Sequence, residues 1–300
     1  MPGAYAVPKS GVSIHTEQTT DNEIIRRIRN KQEKIAVVGM GHVGLPTALG
    51  FAGMGWTVFG ADCSGNLVAE LKSGRLPFYE PGLESLLRQH LGHRFFPVED
   101  LGQAIRDSSI IFLYVGTSQR SSGEADLTQV ESAARTIAQN LNGYKLIIEK
   151  STVPAITAQW ISRTVRRYSV HASGGFPVDF DVASNPEFLQ EGVAIENISH
   201  PERIVCGVDS QRARLILQEI YGGVAAPLLV TGLTTAEIIK HAANSFLAMK
   251  ISFINMVADL CEEIGADVTE VASGIGMDYA SVLHFFRRAS VLADIASRKT

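Results

Sequence analysis

One unit of about 30 residues leaves this chain few choices of architecture. The apolar run Ile35-Ala36-Val37-Val38 leads into the turn Gly39-Met40-Gly41-His42-Val43-Gly44, then the helix-compatible stretch Thr47 to Met54, then a second apolar run from Trp56 to Gly60. Strand, turn, helix and strand in that order make a βαβ unit, whose two strands run parallel with the helix packed on one face. Further strand candidates at Ile110 to Val115, Lys145 to Glu149, Phe180 to Ser184 and Ile204 to Val208 are separated by helix-compatible sequence. Strands that alternate with helices predict a mostly parallel sheet covered on both faces. The expected fold class is therefore α/β, a Rossmann-like doubly wound parallel sheet, followed by an all-α segment with one long helix.

The long helix is expected from Thr234-x-x-Glu237, which has the form of a capping box, to Ile264, since no proline or glycine interrupts that stretch and Gly265 ends it. Shorter helical pieces are expected at Asp267 to Ser273 and Tyr279 to Ala296. Residues 1–22 read as a flexible N-terminal tail, with a short basic helix beginning at Thr20-x-x-Glu23. The sheet domain is then expected over 23–230 and a helical, truncated central domain over 231–300. A net charge of −4 gives no broad positive field for a phosphate backbone, so no nucleic-acid partner is expected. No run of eighteen apolar residues exists to span a bilayer, and no membrane association is expected. Cys63, Cys206 and Cys261 are widely spaced without a C-x-x-C pair, which suits a reducing, cytoplasmic compartment. No metal-ligand cluster is read from the sequence; His90 and His93 fall in a loop-like, solvent-facing segment.

The glycines explain one another. Gly39 allows the tight turn, Gly41 lets a pyrophosphate approach the backbone, and Gly44 lets the helix pack closely on the strand, its N–H groups and dipole facing the anion. Asp62 ends the second strand 18 positions after Gly44, where an acid accepts hydrogen bonds from the adenosine ribose and repels a 2′-phosphate. That combination selects NAD over NADP. A plain strand-to-helix turn beside a surface acid is the bland alternative. The cofactor-binding turn includes His42 and Val43, with His42 a loop residue rather than a catalyst.

From Lys34 to Asp278 the chain resembles the nucleotide-sugar dehydrogenase family. The resemblance rests on Gly39 to Pro46 (G-M-G-H-V-G-L-P), Tyr79 to Leu83 (Y-E-P-G-L), Glu149 to Pro154 (E-K-S-T-V-P), Asn185 to Leu189 (N-P-E-F-L) and Lys240 to Phe246 (K-H-A-A-N-S-F). It implies an NAD-dependent oxidoreductase that oxidises the C6 hydroxyl of a UDP- or GDP-linked sugar. It implies catalytic roles for Thr152, Glu187, Lys240 and Asn244, cofactor contacts at Thr117, Thr152 and Glu191, and substrate contacts at Glu187, Phe188, Leu189, Lys240 and Asn244. Glu187 and Glu191, four apart, would share a face of a helical turn, and they fit a solvated helix face equally well. Lys240 and Asn244 have the same spacing, which suits a cation and an amide that stabilise an oxyanion at C6. The resemblance also implies a homodimer through the helix 234–264.

The family pattern breaks after Gly276-Met277-Asp278. The family places a cysteine in a G-x-G-G-x-C-x-x-K-D segment there, whereas this chain reads Tyr279-Ala280-Ser281-Val282-Leu283-His284. Cys261 lies 21 positions beyond Lys240, roughly 31 Å along one helix, and is read with Cys206 as a small buried residue. A substrate aldehyde then has no thiolate to hold it, so oxidation is expected to stop after one hydride transfer. An inactive NAD-binding subunit, or a fragment of a longer enzyme, are the alternatives. Gly116 also departs from the family's usual proline before Thr117, and Asn66 or Leu67 stand where a basic residue often supports the ribose.

Overall fold

The computed structural model describes residues 14–117, 120–172, 179–190 and 192–277. Eight strands form one sheet: β1 (Lys34–Val38), β2 (Thr57–Ala61), β3 (Phe95–Val98), β4 (Ile110–Leu113), β5 (Lys145–Glu149), β6 (Phe180–Ser184), β7 (Ile204–Val208) and β8 (Leu228–Thr231). The helices between and around them are α1 (Ile14–Arg29), α2 (Gly44–Gly53), α3 (Gly65–Lys72), α4 (Leu83–His90), α5 (Leu101–Asp107), α6 (Thr128–Gln139), α7 (Thr157–Ala172), α8 (Ala194–Ser199), α9 (Gln211–Tyr221), α10 (Leu233–Ile264) and α11 (Val268–Met277).

Strand order is β3-β2-β1-β4-β5-β6-β7-β8, parallel throughout except for the antiparallel β6–β7 pair. The doubly wound sheet expected from alternating strands and helices is present. Its physical basis is visible in the central strands, which are apolar at consecutive positions because both faces are covered. Ile35, Val37, Ile110, Phe112, Leu146 and Ile148 enter one core with α2, α4 and α9. Their neighbours Ala36, Val38, Ile111, Leu113 and Ile147 point the other way, into a second core with α6 and α7. Strands are added outward in one direction from β1 to β3 and in the other from β4 onward, so the winding reverses between the parallel neighbours β1 and β4 and opens a crevice beyond their carboxyl ends.

Several expectations are corrected. The N-terminal helix starts at Ile14, inside the stretch read as a tail, because Ile24, Ile25 and Ile28 pack it onto the first core and Arg29 pairs with Glu219 of α9 at 2.6 Å. Strands β3 and β8 stand beyond those the sequence pattern predicts: Phe95–Val98 contains Pro97, and Leu228–Thr231 is a short edge strand, so neither carries a long apolar run. His90 is the last residue of α4 and is buried, not solvent-facing, while His93 is exposed. Burial lowers the His90 pKa. Asn185–Gln190 forms neither helix nor strand, so Glu187 lies on no helical turn; its carboxylate instead accepts the Leu189 N–H at 2.7 Å.

Thr234-x-x-Glu237 is not a capping box either. Helix α10 already begins at Leu233, and Glu237 turns away to accept the N–H groups of Ile156, just before α7, and of Ala158 in its first turn. The last described helix, α11, runs Val268–Met277, four residues further than the expected piece to Ser273; the piece expected at Tyr279 to Ala296 lies outside the described residues. The chain divides into two compact units between Lys240 and His241, later than the division expected at residue 230. In the second unit Cys261 is buried. Among the described residues no helix is long and apolar enough to cross a membrane.

Candidate functional site

The glycine-rich turn sits at the reversal point of the sheet, between β1 and α2. Gly39 has φ +96°, and a Cβ there would stand 2.1 Å from the Tyr114 carbonyl oxygen that follows β4. A Cβ on Gly44 would stand 1.9 Å from the Gly39 carbonyl oxygen, so only glycine lets α2 start this close to β1. Above Gly41 there is nothing within 4 Å. The N-terminus of α2 carries no side-chain cap. An open, uncapped helix end over a glycine is a cradle that fits a pyrophosphate, whose charge would meet the helix dipole.

Asp62 completes this end. Its Oδ2 accepts the Met40 N–H at 2.8 Å and its Oδ1 the Ser64 N–H at 2.9 Å, which fixes the carboxylate against the turn with lone pairs remaining for a ribose diol. Exposed Cys63 follows it. The His42 ring stacks on Phe78, with centroids 4.1 Å apart.

From Asp62 a cleft of about 740 Å³ runs past Gly41, His42, Val43 and Gly44, then Thr117, and reaches Lys150, Ser151, Thr152 and Glu187. All of these residues belong to the first unit. The Thr117 hydroxyl donates to the Thr152 carbonyl at 2.9 Å, joining the loops after β4 and β5. Gly116 donates its N–H to Gln129 Oε1 at 2.9 Å, a bond that proline has no hydrogen to make.

At the far end charges gather. Lys240 Nζ of α10 meets Glu187 Oε1 at 2.9 Å, with both side chains largely buried, and lies 5.3 Å from the Phe188 ring centroid. Lys150 donates to Asn185 Oδ1 at 3.2 Å, and burial lowers its pKa to about 8. Neighbouring Glu149 accepts the Ser151 N–H at 2.6 Å through Oε1, while its buried Oε2 has no partner. Burial pushes the Glu149 carboxyl up to about 8; the Ser151 hydrogen bonds oppose the shift and the Glu237 charge adds to it.

The structure thus lines one cleft with Gly41, His42, Val43, Gly44, Asp62, Thr117, Thr152 and Glu187, and it places Lys240 on Glu187. Gly39 shapes the turn and Phe188 packs under Lys240, while Leu189 meets Glu187 through its backbone. Asn244 is exposed and lies in the second unit. Glu191 lies outside the described residues. Sequence reasoning passed over Glu149, Lys150 and Glu237. The first two stood inside a quoted motif, and the run of charged and polar residues Glu149-Lys150-Ser151-Thr152 directly after apolar Leu146-Ile147-Ile148 was the available signal.

A doubly wound sheet with a glycine cradle at its reversal point and a fastened acid at the end of the second strand defines a dinucleotide-binding protein. Residues 33–225 match the NAD binding domain of the UDP-glucose/GDP-mannose dehydrogenase family, and residues 234–290 match that family's central domain. The chain belongs to this family, and NAD is the cofactor of its sheet domain. UDP-glucose 6-dehydrogenase TuaD of Bacillus subtilis is 47% identical over 247 residues, covering 82% of this chain and 52% of that protein. UDP-glucose 6-dehydrogenase of Rhizobium meliloti is 44% identical over 252 residues, 82% of this chain and 56% of the relative. A UDP-glucose dehydrogenase structure from Pyrobaculum islandicum aligns with TM-score 0.78 at 39% identity, over 82% of this chain and 57% of that one. The ternary complex of GDP-mannose dehydrogenase from Pseudomonas aeruginosa aligns at 0.77 and 31%, with the same coverage of each chain. The chain spans about half the length of the curated relatives it matches.

Proposed function

We propose that this chain oxidises the C6 hydroxyl of a UDP- or GDP-linked sugar as far as the aldehyde. The observation that carries the reading is the Lys240–Glu187 pair at the end of the cofactor cleft. Bound NAD supplies a hydride acceptor. Glu187 takes the hydroxyl proton, Lys240 stabilises the negative charge that develops on the oxygen, and Thr152 orients the reacting groups. The family resemblance implies further roles for Asn244 in catalysis and for Glu191 toward the cofactor. Phe188 and Leu189 shape the substrate side.

No cysteine of this sequence suits the second oxidation. The Cys206 thiol is pushed up to about 12 by burial, so it holds its proton, and Cys261 is likewise buried. Exposed Cys63 stands at the ribose end of the cleft. Free cysteines also support a cytoplasmic location. The test is NADH formation with a panel of UDP- and GDP-sugars and mass analysis of the products. An aldehyde supports the reading, and silence across the panel with NAD still bound overturns it. The half-length match to the relatives favours a second reading, an NAD-binding unit whose turnover belongs to a longer polypeptide, and that same silence is what it expects.

Self-association through α10 belongs to the same proposal. In the second unit Met249, Phe253, Met256, Leu260 and Ile264 are exposed at spacings of four, three, four and four. Such spacing makes an apolar stripe of the kind a second copy covers. Light scattering that gives a monomer mass at micromolar concentration overturns it.

A further inference from the structure

Ile156 has φ +78°, a left-handed backbone that a β-branched residue adopts only under restraint. It ends the loop that leaves β5 and carries Ser151 and Thr152 along the cleft wall. The loop is fastened at three places. Glu149 accepts the Ser151 N–H, Thr117 donates to the Thr152 carbonyl, and at the far end Glu237 of α10 accepts the Ile156 N–H at 2.6 Å and the Ala158 N–H at 2.9 Å. Glu237 is 3% exposed and uses one oxygen for each donor. These N–H groups open α7, whose dipole favours the carboxylate at that end. One helical turn later on the same helix, Lys240 holds Glu187.

We propose that Glu237 is a positioning residue of the cofactor site: it holds Ile156 in the left-handed conformation and so fixes Thr152 against the cleft. The physical reason is local. An unrestrained isoleucine relaxes toward negative φ, and the chain four residues upstream moves with it, because Pro154 stiffens the link between them. The two ends of α10's first turns then serve one purpose, Glu237 setting the loop after β5 and Lys240 setting Glu187. The proposal rests on NAD binding and on no assumption about the sugar.

The test uses the full chain and NADH, whose fluorescence reports binding directly. In Glu237→Gln the amide keeps one acceptor oxygen and turns a donor toward a second N–H, so NADH is expected to bind about tenfold more weakly to the folded variant. Adding Ile156→Gly removes the strain, because glycine takes φ +78° freely, and the exposed side chain leaves no cavity. The double variant is expected to return to within about twofold of the parent's affinity. A purely structural role lowers the melting temperature and leaves the folded protein's affinity unchanged. NADH affinity of Glu237→Gln within twofold of the parent overturns the proposal. If Glu237→Gln does not fold, the double variant decides: folded protein with parental affinity supports the proposal, and an unfolded or weakly binding one overturns it. A parent protein that binds no NADH removes the cofactor assignment and the proposal together, and this is measured first.

Discussion

Asp62 and Met40 are tied across the mouth of the cofactor cleft, the carboxylate at the end of β2 accepting the N–H of the residue between the first two glycines at 2.8 Å. The acid therefore does two things: it sets the shape of the turn and presents its remaining lone pairs to a ribose. Replacing it removes both. Asp62→Ala is expected to weaken NADH binding by about ten- to a hundredfold, the scale of a lost hydrogen bond to a charged group. NADPH binding should change far less, since the repulsion of its 2′-phosphate disappears at the same time. Fluorescence titration with both nucleotides checks this, and an unchanged preference would count against the placement of the ribose at Asp62.

The Lys240–Glu187 pair is largely shielded from water, so removing one partner leaves a charge without compensation. Lys240→Met is expected to cost about 3 kcal/mol of stability, and Lys240→Met with Glu187→Leu to recover most of it, because the lone carboxylate is gone. Both variants should abolish turnover of a nucleotide sugar while NADH still binds within severalfold of the parent. Denaturant unfolding and ligand titration separate the two effects.

Glu149 predicts a pH dependence with a definite sign. Its folded-state pKa is raised from the ordinary 4.5 to about 8. The stability this group contributes is thus fully present below about pH 4.5 and is lost as pH rises toward 8, since the unfolded chain ionises first. The slope approaches about 1.4 kcal/mol per pH unit within that window. Lys150, lowered from 10.5 to about 8, acts in the opposite direction and only above it: its contribution is present above pH 10.5 and lost as pH falls to 8. Unfolding free energies of Glu149→Gln and the parent between pH 5 and 8 should therefore converge at the acid end and diverge toward pH 8, the variant having the flatter curve. Parallel curves would refute a buried, neutral Glu149.

Helix α1 precedes the family match at residue 33, yet Ile28 is 1% exposed in the first core. Ile28→Ala is expected to cost about 2–4 kcal/mol, as for other buried aliphatic truncations. Arg29→Ala, which breaks an exposed pair with Glu219, should cost under about 1 kcal/mol. Thermal unfolding of the two variants shows whether apolar packing or the ion pair docks the helix.

How much was legible follows from the range of the interactions. The strands β5, β6 and β7 were readable to the residue because each has a short apolar centre, Leu146-Ile147-Ile148, Val182-Ala183 and Ile204-Val205-Cys206, of the kind that a sheet covered on both faces demands. The glycine turn was readable because its requirements are local: φ +96° at Gly39 and the near-contact of Gly44 with Gly39 arise within six residues. The edge strands were not, since β3 and β8 owe their conformation to a neighbour's hydrogen bonds rather than to their own pattern. His90 looked solvent-facing because its burial comes from packing beside α2, and no neighbour in the chain signals that.

The order of residues by itself determined the class of fold, the cofactor turn and the acid that fastens it, because backbone sterics and strand-to-helix periodicity act between near neighbours. Only the tertiary structure decided where Glu237 spends its two oxygens, 81 and 79 positions from their donors, and that Lys240 lies on Glu187 across 53. Glu237 reads from sequence as the local cap of its own helix. Folding brings it two N–H groups at the start of α7 that have no partner within that helix, and that long-range demand overrides the local motif.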